Sequence, residues 1–134
     1  MTYLLDTNIC IYLIRHKPIQ VRQKFSAIPP GNIAISAISV AELQYGAEKS
    51  QQPLQNKTAL GQFLLPLSVV DFDSGSALKY GQLRAELERA GTPIGSLDLW
   101  IASQALWLDA ILVTNNEKEF KRVPNLQVEN WAQH

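Results

Sequence analysis

The chain has 134 residues, 46% of them hydrophobic and 18% charged, with twelve basic against twelve acidic side chains. That balance excludes a polybasic, histone-like protein and an acidic disordered tail, and a single cysteine, Cys10, excludes an internal disulfide framework and a cysteine-built zinc site. A chain of this length buries roughly two thirds of its unfolded surface and fits one domain over residues 1–134; no run approaches ~18 consecutive apolar residues or has signal-peptide character, so a soluble, cytoplasmic protein is expected.

Tyr3-Leu4-Leu5 reads as a short strand that ends at Asp6-Thr7-Asn8, residues that favour a helix N-cap. A helix over Ile9 to Arg15 follows, and Lys17-Pro18 stops or kinks it before a basic helix to about Phe25. After the loop Pro29-Pro30-Gly31-Asn32, Ile33 to Ser36 is a second strand. Ser39-Val40-Ala41-Glu42 has capping-box spacing and opens a helix to about Lys49. Ser50-Gln51-Gln52-Pro53 is a turn, with Pro53 in the first turn of a helix to about Leu64. Leu67 to Val70 is a third strand. Asp73-Ser74 can cap a long amphipathic helix with Tyr80, Leu83 and Leu87 on one face, stopped at Gly91. Ser96 can cap a helix from Leu97 to Leu108 that is apolar nearly all round. Ala110 to Val113 is the best strand in the sequence, and Leu126 to Val128 a weak last one. Strands separated by helices imply parallel βαβ units, hence a three-layer α/β domain with a central, mostly parallel sheet flanked by helices.

Parallel sheets of this kind bind ligands beyond the carboxyl ends of their strands. Asp6 directly follows the first strand, and Thr114-Asn115-Asn116 directly follows the strand at Ala110 to Val113. Glu42 lies one turn into the helix after the second strand, and Asp98 in the first turn of the apolar helix. Each acid also has an ordinary structural reading. Asp6 can simply cap its helix, Glu42 can complete the Ser39 capping box, and Asp98 gains ~0.3–1 kcal/mol from the helix dipole. The helix around Asp98, however, carries Leu97, Leu99, Trp100, Ile101 and Ala102, where a carboxylate is costly unless paired or bound to a cation. Two carboxylates ~4 Å apart repel by about 4 kcal/mol at an effective dielectric of 20, and no lysine or arginine adjoins these acids in sequence. A divalent cation solves that problem, and oxygen ligands favour Mg²⁺ or Mn²⁺ over zinc. Such an ion serves phosphodiester hydrolysis.

The segments Leu4-Leu5-Asp6-Thr7-Asn8, Ala41-Glu42-Leu43 with Tyr45-Gly46-Ala47-Glu48-Lys49-Ser50, Gly95-Ser96-Leu97-Asp98-Leu99-Trp100, and Leu112-Val113-Thr114-Asn115-Asn116 with Glu119-Phe120 occur in order across the chain. In this set the chain resembles the PIN-domain ribonucleases, specifically the VapC toxins of bacterial toxin–antitoxin pairs and their enteric branch. The resemblance implies Mg²⁺ or Mn²⁺ held by Asp6 and Asp98, with Glu42 ligating directly or through water. It implies hydrogen-bonding support from Thr7, Ser39 and Thr114. Many PIN domains carry a fourth acid where this chain has Asn116, which puts a full second metal site in doubt; Glu119 can compensate if its loop turns it inward. The resemblance further implies cleavage of initiator tRNA in its anticodon loop, neutralisation by a VapB-type antitoxin, and a homodimer or a hetero-oligomer with that antitoxin.

Candidate RNA contacts are the basic residues Arg15, Lys17, Arg22 and Lys24, with Arg84 on the long helix; all can equally be ordinary solvated charges. Trp100, Trp107 and Trp131 read as core or interface residues, Cys10 as a small buried one, and His16 and His134 as uninvolved. Two other readings stand beside the nuclease. One is a PIN-like RNA-binding module with a degraded site, to which Asn116 lends force. The other is a Mg²⁺-dependent phosphotransfer domain, in which Asp71 or Asp73 follows the third strand but Asp6 has no acidic neighbour.

Overall fold

Leu4 and Leu5 are completely buried and point to opposite faces of the sheet. They belong to β1 (Tyr3–Leu5), the central strand of a five-stranded sheet in the order β3-β2-β1-β4-β5. The others are β2 (Ile33–Ser36), β3 (Ser68–Val70), β4 (Ile111–Val113) and β5 (Val128–Glu129). All four pairings are parallel, with Leu4 opposite Ala34 on one side and Leu112 on the other. The structure, a computed structural model, describes residues 1–132. His134 therefore lies outside the described residues.

The alternation of side chains along each strand divides the core into two layers. Leu4, Ala34 and Leu112 face Leu83 and Leu87 of α5 (Ser74–Arg89) and Leu99, Ile101, Ala102 and Ala105 of α6 (Ser96–Leu108). Leu5, Ile33, Ile35 and Val113 face Ile9, Cys10 and Leu13 of α1 (Thr7–Arg15), Val21 of α2 (Ile19–Ser26), Leu43 of α3 (Ala37–Glu48) and Leu60 of α4 (Pro53–Leu64). Helices cover both faces, which is why β1, β2 and β4 are continuous apolar runs. Burying each such leucine or isoleucine contributes about 1.5–3 kcal/mol. Trp131, only 2% exposed, closes the second layer against Tyr3.

Several boundaries differ from the sequence reading. The helix expected from Ile9 starts at Thr7, because the Asp6 carboxylate accepts from the Ile9 amide at 2.9 Å. The capping box at Ser39 and Glu42 does not form. Ser36, the last residue of β2, caps α3 by accepting from the Ile38 amide at 3.1 Å, so Ser39 lies inside the helix. Gly95 rather than Ser96 is the N-cap of α6, without a side-chain bond. The last strand is Val128–Glu129, and a short helix unforeseen in the sequence, α7 (Glu117–Phe120), precedes it. Gly91 does end α5. At φ +72° it donates to the Glu88 carbonyl at 3.1 Å while Thr92 donates to Leu87 at 2.9 Å, the paired bonds of a left-handed helix stop.

Near the other end of α5, a Cβ on Gly75 would lie 2.0 Å from Cε2 of Trp107. The indole crosses the first turn of α5 and hydrogen-bonds the Asp73 carboxylate. Gly75→Ala therefore has to expel the indole, and unfolding by denaturant should show a loss of about 1–3 kcal/mol. In a double-mutant cycle the same change should cost almost nothing once Trp107 is alanine; equal losses in both backgrounds would show that the ring contact is not the cause.

Candidate active site

The strand order reverses beside β1: β2 and β3 lie on one side of it, and the chain then returns to place β4 and β5 on the other. This reversal opens a crevice at the carboxyl ends of β1 and β4, the usual ligand position in a parallel sheet. Asp6 stands at the end of β1, its amide donating to the Val113 carbonyl of β4 at 3.0 Å. Thr114, completely buried, stands at the end of β4, its amide held by Glu129 of β5 at 3.0 Å.

Asp6, Glu42 and Asp98 line one cleft of about 350 Å³ together with Thr7, Asn8, Gly95, Ser96, Leu97 and Ile101; no lysine or arginine is among these residues. Asp6 is 8% exposed, and burial raises its pKa against the opposing hydrogen bonds from Thr114 and the Ile9 amide. Glu42 raises it further by repulsion. Glu42 itself accepts from the Thr7 hydroxyl at 2.6 Å, so the first residue of α1 orients an acid on α3. Asp98 is pushed up to about 7, first by burial, then by its hydrogen bond to Glu119, and then by repulsion from Glu119, Asp6 and Glu42.

Glu119 is turned inward. Its carboxylate accepts from the Gly95 amide at 2.5 Å and from the Asn116 side-chain amide at 2.7 Å, and it shares a hydrogen bond with Asp98. The bond to Asp98 first, and then the Gly95 and Asn116 donors, hold the Glu119 pKa low, while the same bond helps to raise that of Asp98. Asn116 does not line the cleft; its side chain fastens Glu119, and its backbone amide donates to Thr114 Oγ1 at 2.9 Å. Asn115 is tied to the Tyr12 hydroxyl at 2.6 Å, which anchors the same loop to α1.

The donor set suits a hard divalent cation: carboxylate oxygens around a water-accessible cleft, with no cationic side chain among the described residues lining it. Among the described residues no three acidic, histidine or cysteine side chains are gathered tightly enough to hold an ion as they stand. The proton shared by Asp98 and Glu119 takes the place of positive charge between two of the acids.

Other sequence candidates fall elsewhere. Ser39 is completely buried, and its hydroxyl has no hydrogen-bond partner among the described residues. Arg15, Lys17, Arg22 and Lys24 are exposed, but none lines the cleft. Arg84 is bound to Glu88 and to the Tyr80 hydroxyl, both at 3.1 Å. Trp100 stacks on Tyr80 at a centroid distance of 4.0 Å, Cys10 is buried, and Asp73 caps α5. The sequence reading missed Gly95 as a hydrogen-bond donor. Its signal was the glycine just before Ser96-Leu97-Asp98, where an added Cβ would meet Asp98 and Glu119 oxygens at 3.4 Å.

The PIN domain family model matches residues 3–126. Ribonuclease VapC2 of Rickettsia felis is 50% identical over 132 residues, 98% of each chain. The tRNA(fMet)-specific endonuclease VapC of Shigella flexneri is 44% identical over 132 residues, 98% of this chain and 99% of that one. The crystal structure of Rickettsia felis VapBC2 bound to a promoter DNA fragment superposes with a TM-score of 0.92 at 48% identity, covering 98% of this chain and 99% of that chain. The fold, the acid-lined cleft and these similarities define a PIN-domain nuclease, the family to which this chain belongs. Within that family it falls among the VapC ribonucleases.

Without metal, the acids are a burden on the fold. Between about pH 4 and pH 7 the unfolded chain has already lost the Asp98 proton that the folded chain still binds, so stability falls as pH rises and levels off above about pH 7. In EDTA the thermal midpoint should therefore decline from about pH 4 to about pH 7 and level off by about pH 8. Asp98→Asn should raise the midpoint at pH 8 and flatten the decline. A variant with the wild-type profile would locate the strain elsewhere.

Proposed function

We propose that the protein is a Mg²⁺- or Mn²⁺-dependent endoribonuclease, the toxin of a toxin–antitoxin pair, which cuts tRNA and is neutralised by a VapB-type antitoxin. The observation that carries this reading is the gathering of Asp6, Glu42 and Asp98 in one cleft without a cationic side chain to balance them. The name of the Shigella flexneri relative supports initiator tRNA as substrate, and the VapBC complex supports an antitoxin partner and assembly into a hetero-oligomer. A cytoplasmic site of action belongs to the same reading; among the described residues no helix is long and apolar enough to cross a membrane.

Asp6 and Asp98 are the direct metal ligands in this reading, Glu42 binds directly or through water, and Glu119 stands beside Asp98 as the fourth acid. A bound divalent ion supplies Lewis acidity and offsets the charge that builds on the phosphoryl oxygens. The protein's own groups do the positioning. Thr114 and the Ile9 amide hold the Asp6 carboxylate, and the Thr7 hydroxyl holds that of Glu42. Asp98 would hold such an ion as a carboxylate, while Gly95 and Asn116 keep Glu119 in place. Asn116 thus contributes a hydrogen bond rather than charge.

Purified protein should convert total tRNA into one discrete pair of fragments in Mg²⁺ or Mn²⁺ and into none in EDTA. Asp6→Asn and Asp98→Asn should each lower the rate by roughly a thousandfold, the scale of removing one preorganised electrostatic group, while RNA is still bound. Undiminished cleavage by both variants would reject this site. Metal-independent RNA binding without cleavage would favour the degraded binding module instead.

A further inference from the structure

A second groove, about 360 Å³ in volume, opens between α1, α3 and α4 and shares Thr7 and Glu42 with the acid-lined cleft. Its edges carry Arg15 at the end of α1 and Lys49 at the end of α3, and among the described residues neither cation is in an ion pair. The nearby acid Glu48 is already paired with Lys57. Apart from Glu42, no acidic side chain lines the groove. The groove is negative where it meets the cleft, apolar at Ile11, Ile14, Leu43, Ala47 and Leu60, and positive at Arg15 and Lys49.

Beside it stands Tyr45, at 64% exposure the most open aromatic ring among the described residues. The other large rings are committed: Trp131 is in the core, Trp100 lies against Tyr80 and Phe72, and Trp107 covers Gly75. Lys49 Nζ lies 4.8 Å from the Tyr45 ring centroid, a cation–π contact that restrains both side chains. Glu42, Tyr45 and Lys49 follow one another along the same side of α3. At 1.5 Å per residue, they span about 10 Å leading away from the acids. Gly46, between them, leaves open space where a side chain would stand.

We propose that Tyr45 and Lys49 form a subsite for single-stranded RNA, roughly one or two nucleotides from the scissile phosphate. The Tyr45 ring stacks an unpaired base while Lys49 and Arg15 hold the flanking phosphates. Aromatic rings and cations along a groove are the general means of holding unpaired RNA, because every base has a π-face and every linkage a charge. The inference rests on the ribonuclease reading and adds the residues that hold the strand.

The test measures initial rates of tRNA cleavage in Mg²⁺ or Mn²⁺ over a range of substrate and salt concentrations. In parallel, a fluorescent single-stranded RNA is titrated against Asp98→Asn protein. Tyr45→Ala should raise KM and the RNA dissociation constant by roughly tenfold and leave kcat within about twofold. Tyr45→Phe, which keeps the ring, should restore both. Lys49→Gln should weaken binding and reduce the salt dependence by about one released counterion. If wild type cleaves and these variants match it in KM, affinity and salt slope, the subsite is wrong and the ribonuclease reading stands. If wild type binds without cleaving and Tyr45→Ala still loses affinity, the subsite stands and the ribonuclease reading falls. Variants unchanged toward RNA but no longer neutralised by a co-expressed antitoxin would assign the groove to a protein segment and overturn the proposal.

Discussion

The reversal of strand order beside β1 is the constraint on which the rest of the structure depends. On one side of it, β2 and β3 each have a helix as their next element, α3 and α5. At β1 and β4 the chain departs in different directions, toward α1 and toward the Asn115–Asn116 loop, and the space stays open. Asp6 and Thr114 flank that opening because each is the first residue beyond its strand. The N-terminal turn of α6 brings Asp98 to the same edge, and α3, leaving the adjacent β2, brings Glu42.

Holding these acids together costs stability, and the fold offsets the cost in two ways. Directly beneath the cleft the sheet is apolar and fully packed, with Leu4, Leu5, Leu112 and Val113 all at zero exposure. Above it, each carboxylate is spoken for. Asp6 caps a helix, Glu42 takes a hydroxyl, and Glu119 takes two amide donors and shares a proton with Asp98. Without an ion, the arrangement resembles a spring held by a proton, and functional sites commonly sacrifice stability in this manner.

The sequence made the sheet legible because its central strands are short, β-branched or leucine-rich, and bounded by polar residues; Ala110 to Val113 is the clearest case. The three acids of the cleft were legible for a related reason, since Asp6 follows a strand, Asp98 lies in the first turn of a helix and Glu42 lies early in the helix that follows β2. What failed were decisions made at longer range. Ser39 and Glu42 have the spacing of a helix cap, but Ser36 sits one turn earlier with extended backbone and takes that role, while Glu42 is claimed by Thr7, far away in sequence. The orientation of Glu119 depends on the Gly95 amide, a partner from a different element. No local pattern in Glu117 to Phe120 announces that contact. The basic segment Arg15 to Lys24 stood out by composition, yet of its four charges only Arg15 borders the groove beside the cleft.

The cleft also has an order of assembly built into the chain. Asp6 and Glu42 come from the first third of the polypeptide, whereas Asp98 and Glu119 come from the last. Thr114, which supports Asp6, is itself held through β5, the final strand. During synthesis at about 5–20 residues per second, the early acids emerge several seconds before the late ones and have nothing to work with. A growing chain tethered to a ribosome therefore lacks the full set of acids until its last third has emerged. The order of the acids along the chain alone makes the cleft the last part of the molecule to be completed.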